Sequence, residues 1–577
     1  MAGDIIVLKF GSSVLRSRAH LPTAVHEIYH WYRAGWRVVA IVSAIGNATE
    51  TLLSEARALA TDPEPDATAE LLATGERHSA ALLGIALDRA GVKAKVVDPR
   101  EIGLTTAGSA LDSEPVAVDR ACLHKLLDKT AVLVVPGFFG YGDHGQLQLL
   151  GRGGSDLSAV YLANELGARR CRLVKDVDGV YESDPALAAA SPTRRFVTLG
   201  YDEAIERAGK LIQPKAVRFL ERHGGSAEVA GIARAYESTV GIKERALVPA
   251  VKVPPLAVLI LGMGTVGFGV YQRLHAMREQ FRIKGALVRN RDKHSGEVPL
   301  ELLHDSQSEV SGLSPDVVVD ALPGLEPSLT LVRHFLSRGV HVVSANKTLI
   351  AHAGVELDAL AARHGASLVY SAAVGGSVPM IETLNRDKAS GGILAIAGVL
   401  NGTCNYVLDR CAAGLSLDDA VREAQQCGFA EADPSEDLSG RDAARKLGIL
   451  ARQAFQQELT AIELEALDNV ALARARARLR ENESLRIIAR ARRVGDKLLG
   501  QIRLEAVPAD DAFAQTRNEW NRLSISYENG AELVVSGRGA GRWPTTEAVM
   551  ADLLDLSESM PPIEAVAQKC STEASVA

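Results

Sequence analysis

The sequence predicts an α/β protein of at least two domains, and three observations predict it. An apolar run opens into small, glycine-containing residues twice, at 5–13 and at 256–267. After each opening, short apolar runs alternate with helical patterns, as in parallel strands covered on both faces. The length, 577 residues, also exceeds what one hydrophobic core accommodates.

In the first half, residues 38–42, 131–135 and 172–174 read as strands and 155–166 as a helix. Residues 237–255 carry Pro249, Pro254 and Pro255, which cannot continue a helix, so this stretch reads as a linker. In the second half the strands are expected at 256–261, 286–288, 317–320 and 340–344, with a helix at 268–277. After about Ser371 the pattern changes, giving a separate substrate-binding region. The expected organisation is a domain at 1–240, a linker at 241–255, a nucleotide-binding domain at 256–370, a catalytic and substrate domain at 371–557 whose last part returns to the nucleotide domain, and a loosely ordered tail at 558–577.

A net charge of -7 spread along the chain provides no field to gather a polyanion, so nucleic acid is a poor partner. The arginines at 474, 476, 478, 480, 486, 490, 492 and 493 are interleaved with Ala, Leu, Ile, Glu481 and Glu483, and read as a solvated helical face. Six scattered cysteines show neither CxxC pairs nor histidines at zinc-ligand spacing, which fits reduced thiols in a cytosol. No basic segment precedes the first apolar run and no 18 apolar residues follow one another, so neither an export signal nor a membrane span is expected.

The second opening, Gly262-Met263-Gly264-Thr265-Val266-Gly267, follows an apolar strand and precedes a helix. There GxGxxG permits a tight turn, close approach of backbone to a pyrophosphate, and helix packing. Where a carboxylate would bind a ribose 2′-hydroxyl, this chain has Arg289, Arg291 and Lys293 beside Asp292, which suits a 2′-phosphate and so NADPH, with NADH as the alternative. Further on, residues 428–446 hold a run of carboxylates, Glu431, Asp433, Asp437 and Asp442 among them, close to Lys446. On a helix beginning after Gly440, Asp442 and Lys446 share one face. An ammonium there can stabilise and protonate the alkoxide formed when a carbonyl accepts hydride.

In the first half, Lys9 precedes the turn Gly11-Ser12-Ser13, whose amides could cradle phosphate while the ammonium bridges the transferred group. Gly151-Arg152-Gly153-Gly154-Ser155-Asp156 places an arginine and glycines at a helix start, suited to an anion. Lys175-Asp176-Val177-Asp178-Gly179-Val180-Tyr181 puts acidic residues where they could face a nucleotide and its Mg2+.

These segments together resemble two known families. GMGTVG, Ser344-Ala-Asn-Lys347, Asn401-Gly-Thr-Cys-Asn-Tyr406, the block from Gly428 to Lys446, and Gly537-Arg-Gly-Ala-Gly541 followed by Thr545 and Thr546 resemble homoserine dehydrogenase, in that family's order over about three hundred residues. The resemblance implies a Rossmann nucleotide domain contacted by Gly262, Gly264, Thr265, Val266, Gly267, Arg289, Ser344, Lys347 and Gly541. It makes Lys446 the proton donor, Glu431 and Asp442 ligands of the substrate's amino and hydroxyl ends, and Lys347 a residue at cofactor and substrate. It also implies a sodium ion on backbone carbonyls of Val374, Gly376 and Val378, in a loop where Ser371 replaces the acidic residue of many relatives, and a homo-oligomer.

GERHSAALL at 75–83 and GRGGSDLSA at 151–159 resemble the amino acid kinase family, aspartokinase in particular. That resemblance places Glu76, Arg152 and Asp156 around L-aspartate, Lys9, Gly11, Ser12, Ser13 and Lys210 near the phosphates of ATP, and Lys175, Asp176, Asp178 and Tyr181 in a nucleotide-binding segment ending at Asp184. Two features depart from it: the opening turn is one glycine short of KFGGTS or KFGGSS, and Gln213 stands where a histidine precedes proline. Only about twenty residues separate the halves, leaving no room there for the paired ACT domains of known kinase–dehydrogenase fusions. The implied chemistry is phosphorylation of L-aspartate and reduction of L-aspartate 4-semialdehyde to L-homoserine. The alternative is a dehydrogenase whose kinase-like half only binds a ligand or drives assembly. A glutamate kinase fused to its reductase shares the KxGSS opening, but GMGTVG and the Asp442/Lys446 block argue against it.

Overall fold

The computed structural model describes residues 3–183, 193–209, 211–232, 236–250, 253–386 and 392–560. The chain divides into two compact units, one built mainly from residues up to Val253 and the other from Pro254 to Ser557.

The first unit is organised by a nine-stranded sheet. Its order is Ala246–Pro249, Arg194–Leu199, Glu237–Val240, Ala227–Gly231, Arg170–Lys175, Ile5–Phe10, Arg37–Val42, Val132–Pro136 and Ala94–Val96. The central strands pair in parallel, and Ile5–Phe10 is buried along its whole length, as expected of a strand covered on both sides. Helices α1 (Pro65–Arg89) and α2 (Gly154–Glu165) carry the segments of interest to the carboxyl ends of those strands.

Two strands, Glu237–Val240 and Ala246–Pro249, lie inside the stretch read as a linker. Pro249 is compatible with this because its strand is the sheet's edge, where one side needs no backbone donor.

The second unit contains two six-stranded sheets. The first is parallel, in the order Leu303–His304, Phe281–Leu287, Leu256–Leu261, Val317–Asp320, His341–Ser344 and Leu368–Val369, and it carries α3 (Thr265–Ala276) and α4 (Lys347–Arg363). The second runs Ala461–Leu464, Lys497–Pro508, Glu483–Val494, Ile393–Val399, Trp520–Tyr527 and Glu532–Arg538, mostly antiparallel. Its core is closed by α5 (Gly402–Ala412) and α6 (Arg441–Phe455). Helix α7 (Arg542–Ser559) returns to the nucleotide domain: Arg273 of α3 pairs with Glu547 at 2.9 Å, and a Cβ on Gly269 would meet Thr546 Oγ1 at 2.4 Å.

The arginine-rich stretch is not one solvated helix. Residues Asn469–Arg476 form a short helix, but Glu483–Val494 is a strand, and Arg486 is buried, with its guanidinium 2.8 Å from Asp409. Backbone pairing with Lys497–Pro508 along the whole strand wins over the charge pattern.

Candidate active sites

The parallel sheet of the second unit ends at the glycine turn. Gly262 has φ 94°, a conformation side chains rarely adopt, and a Cβ on Gly267 would stand 1.8 Å from the Gly262 carbonyl oxygen. A Cβ on Gly264 would meet nothing, so the backbone there is open to a close-lying ligand. Thr265, exposed, and Val266, half-buried, begin α3, whose first N–H groups lack helical partners and suit a pyrophosphate. Arg289 is exposed past the second strand, while Arg291 is engaged by Asp305 and Glu309 at 3.0 and 2.9 Å. The turn and the helix start fit the pyrophosphate of a dinucleotide.

Ser344 ends the strand His341–Ser344, level with Asp320 on the neighbouring strand. It is fully buried and donates to Asp320 Oδ2 at 2.9 Å, as does Ser328 Oγ at 2.7 Å. Its hydroxyl also accepts from Asn346 N, and Asn346 caps α4 through Leu349 N. Ser344 therefore orders the start of α4, where Lys347 is the first residue.

Burial raises the Asp320 carboxyl from 3.8 to about 6, against the hydroxyl and amide donors that lower it. The folded protein then binds more protons than the unfolded chain between those values. The stability contributed is complete below about pH 4 and is lost, by roughly 3 kcal/mol, as pH rises through about 6. Melting of the second unit from pH 4 to 7 should show this loss in wild type and not in Asp320→Asn; equal slopes would contradict the assignment.

The chemical centre lies at the N-termini of α4 and α6. Gly440, with φ 77°, precedes α6 and allows the sharp entry that sets Asp442 and Lys446 one turn apart. Lys446 Nζ is 2.9 Å from Asp442 Oδ2 and donates to the Leu400 carbonyl at 2.9 Å, with its side chain only 9% exposed. Lys347 Nζ binds the other Asp442 oxygen. Asn401, the N-cap of α5, donates through Nδ2 to both Asp437 Oδ1 (2.6 Å) and Asp442 Oδ2 (2.8 Å). Burial disfavours the Asp442 carboxylate, but the two ammonium groups outweigh it and hold the carboxyl well below the usual range. An ammonium has three N–H donors, and Lys446 spends two on Asp442 and Leu400, leaving one for a substrate oxygen.

Glu431 is exposed on the loop after Gln426, with its side chain outside this hydrogen-bonded group. Asn401 and Asp437 belong in it as well. An asparagine just before a helical run is a capping signal, but its second use, bridging two carboxylates, depends on the fold.

Gly541 (φ 117°) accepts from Thr545 N at the start of α7. The Val374–Val378 loop is buried, and the Val378 carbonyl already accepts from Met380 N–H at 2.7 Å. Among the described residues no three His, Cys, Asp or Glu side chains surround a common point, so a metal there would rest on backbone carbonyls.

Sequence comparison decides the family. Residues 262–371 and 379–554 match the NAD-binding and catalytic domains of homoserine dehydrogenase. Homoserine dehydrogenase from Synechocystis is 33% identical over 313 residues, covering 52% of this chain and 72% of that protein. The chain belongs to the homoserine dehydrogenase family. The Bacillus subtilis enzyme is 31% identical over 314 residues, again with 72% of its length covered. The crystal structure of the homoserine dehydrogenase from Thiobacillus denitrificans aligns with a TM-score of 0.51 and 31% identity, over 54% of this chain and 77% of that one. Lys446, Asp442 and Lys347 thus stand in a homoserine dehydrogenase unit beside its nucleotide domain.

The first unit of this homoserine dehydrogenase family member matches the amino acid kinase family over residues 4–231. An aspartokinase from Thermus thermophilus is 34% identical over 223 residues, 38% of this chain, and the chain spans about half (55%) of that protein's length.

The kinase site gathers at the carboxyl ends of the central strands. Lys9 Nζ is 2.7 Å and Lys175 Nζ 3.3 Å from Asp156 Oδ1, all three side chains being less than a tenth exposed. Burial lowers Lys175 to about 8, helped by the like charge of Lys9 and opposed by Asp156. Gly153 (φ 75°) precedes α2, and a Cβ there would overlap Gln213, so the departure at 213 is packed directly on the glycine loop. A Cβ on Gly11 would lie 2.8 Å from Lys9 Nζ, which places the ammonium against the opening turn.

Ser12 and Arg152 are exposed, and Ser13 binds Arg16 Nε through its carbonyl. Asp176 pairs with Arg16 at 3.1 Å, and Asp178 accepts from Tyr181 OH at 2.6 Å, so neither joins the Lys9–Asp156–Lys175 group. Lys210 and Asp184 lie outside the described residues.

Glu76 is 2% exposed on α1 and accepts from Ala44 N at 3.2 Å, while its Oε2 has no partner. Burial pushes its carboxyl up to about 7, against the Ala44 N–H and the charge of Lys9. If the ionised carboxylate holds an amino acid ammonium, the KM for aspartate should rise roughly tenfold per pH unit below that value. Initial rates from pH 5.5 to 8.5 check this: Glu76→Gln should raise KM throughout and flatten its pH dependence, and a flat wild-type profile would contradict the role.

Proposed function

We propose that this chain is bifunctional, reducing L-aspartate 4-semialdehyde to L-homoserine with NADPH in its second unit and phosphorylating L-aspartate with MgATP in its first. The observation that carries the reading is the buried Lys446 ammonium, held by Asp442 and the Leu400 carbonyl with one N–H to spare.

A bound reduced nicotinamide supplies the hydride. Lys446 aims its free N–H at the aldehyde oxygen, stabilises the charge growing there and gives up a proton to make the alcohol. Asp442 holds that lysine oriented, and Lys347 supports Asp442 from its other oxygen. Glu431 and Asp437 are proposed to hold the substrate ammonium, with the exposed Arg289 favouring the phosphorylated nucleotide. The sodium ion on Val374, Gly376 and Val378 and a homo-oligomer belong to this reading through resemblance, and a cytosolic setting through the scattered cysteines without CxxC pairs. No helix among the described residues is long and apolar enough to cross a membrane.

In the first unit the β-carboxylate of aspartate is already ionised at neutral pH, so no general base is needed. It attacks the γ-phosphorus, the bond to the ADP oxygen breaks, and Lys9 and Lys175 neutralise the charge in flight, both fixed by Asp156. The turn one glycine short favours the other reading, a kinase-like unit that only binds or assembles; the intact Lys9–Asp156–Lys175 cluster supports turnover.

Two assays on the purified chain test the proposal: NADPH oxidation with aspartate semialdehyde, and ADP release with aspartate. Both activities are expected. A silent first assay removes the dehydrogenase reading, and a flat ADP trace beside a working dehydrogenase selects the binding-module reading.

A further inference from the structure

One face of α4 carries Lys347, Ile350, Gly354 and Asp358, spaced at three and four residues. The first meets Asp442 of α6, the next two meet a single side chain of the same helix, Arg452, and the last lies within reach of its charge. Arg452 Nη1 lies 3.5 Å from the Ile350 carbonyl oxygen, and Asp358 faces its charge. The guanidinium occupies the space a side chain at 354 would take: a Cβ on Gly354 would stand 2.4 Å from Nη2, 2.9 Å from Nη1 and 3.0 Å from Cζ. Tyr370 closes the site, its ring centroid 6.0 Å from Cζ, and the Arg452 side chain is only 14% exposed.

A bulky, charged side chain sunk into the notch of a helix fixes how far that helix slides along its neighbour. The flanking positions on the stripe, Ile350 and Asp358, offer no such notch. With Gly354 seated on Arg452, Lys347 falls two turns toward the N-terminus, about 10 Å along the axis, where it meets Asp442. A slip of one turn, about 5.4 Å, would separate the two.

We infer that Arg452, seated at Gly354, is a positioning residue that sets the register of α4 on α6 and so places the Lys347 ammonium on Asp442. For catalysis the inference rests on the dehydrogenase reading; for geometry it stands on the contacts alone.

The test combines kinetics with a readout that needs no activity. Arg452→Leu should lower kcat/KM for the semialdehyde about ten- to a hundredfold while NADPH binding stays intact, and Arg452→Lys, which restores the charge, should recover part of the loss. In a Lys347→Ala background Arg452→Leu should cost nothing more, because the two act as one; losses that multiply would overturn the inference. Separately, acylation of the Lys347 amine by acetic anhydride, followed by mass spectrometry, should quicken severalfold in Arg452→Leu and less in Gly354→Ala, where the guanidinium shifts but remains. An unchanged labelling rate in Arg452→Leu overturns the inference whatever the activity. Faster labelling in a protein whose wild type reduces no semialdehyde would uphold the positioning and sink the functional reading.

Discussion

Replacing Lys446 with alanine is expected to lower the turnover of semialdehyde reduction by about a thousandfold, the range covered by a positioned proton donor, while ATP turnover is untouched. The size follows from the geometry: Lys347, the other ammonium on Asp442, is committed to the far oxygen of that carboxylate and is 41% exposed. The variant should still fold. Asp442 keeps Lys347 and the Asn401 amide as partners, so no uncompensated buried charge is left behind. Steady-state kinetics beside NADPH titration checks this, with nucleotide affinity unchanged and kcat lost. A variant with near-wild-type kcat would show that the proton comes from elsewhere.

Lys9→Ala is expected to have the complementary effect, a loss of ATP turnover of about a hundred- to a thousandfold, with semialdehyde reduction unchanged. Lys9 and Lys175 converge on one carboxylate, so removing Lys9 deletes one of the two ammonium groups that Asp156 holds for the transferred phosphoryl group. Asp156 retains Lys175 at 3.3 Å and stays paired. Lys175, relieved of a like charge, should titrate higher than its present value of about 8. ADP release by the variant at the wild-type rate would contradict the assignment of Lys9 to the phosphates.

Local signals made the two α/β units legible, as well as the place of most chemistry-bearing residues. The strand expected at 256–261 forms as Leu256–Leu261, and the helix expected to follow Gly440 forms as Arg441–Phe455, because an apolar run and a glycine entry are properties of a few adjacent residues. The pairing of Asp442 with Lys446 follows from helical spacing alone. What failed depended on distant partners. Residues 237–249 look like a linker until the neighbours that complete their sheet are known, and Arg486 looks solvated until Asp409, Phe513 and Ala514 are seen around it. The Ser344 hydroxyl finds its partner, Asp320, on the adjacent strand, a contact that no local spacing exposes. Asn401 and Arg452 likewise act across elements far apart in sequence, and no spacing rule exposes them.

The most direct test is the structure of the chain with NADP and L-homoserine bound. The account predicts the Lys446 amine within hydrogen-bonding distance of the homoserine hydroxyl, about 2.6–3.2 Å, with Asp442 still on its other side. A homoserine hydroxyl turned away from Lys446, toward solvent or a different donor, would contradict it.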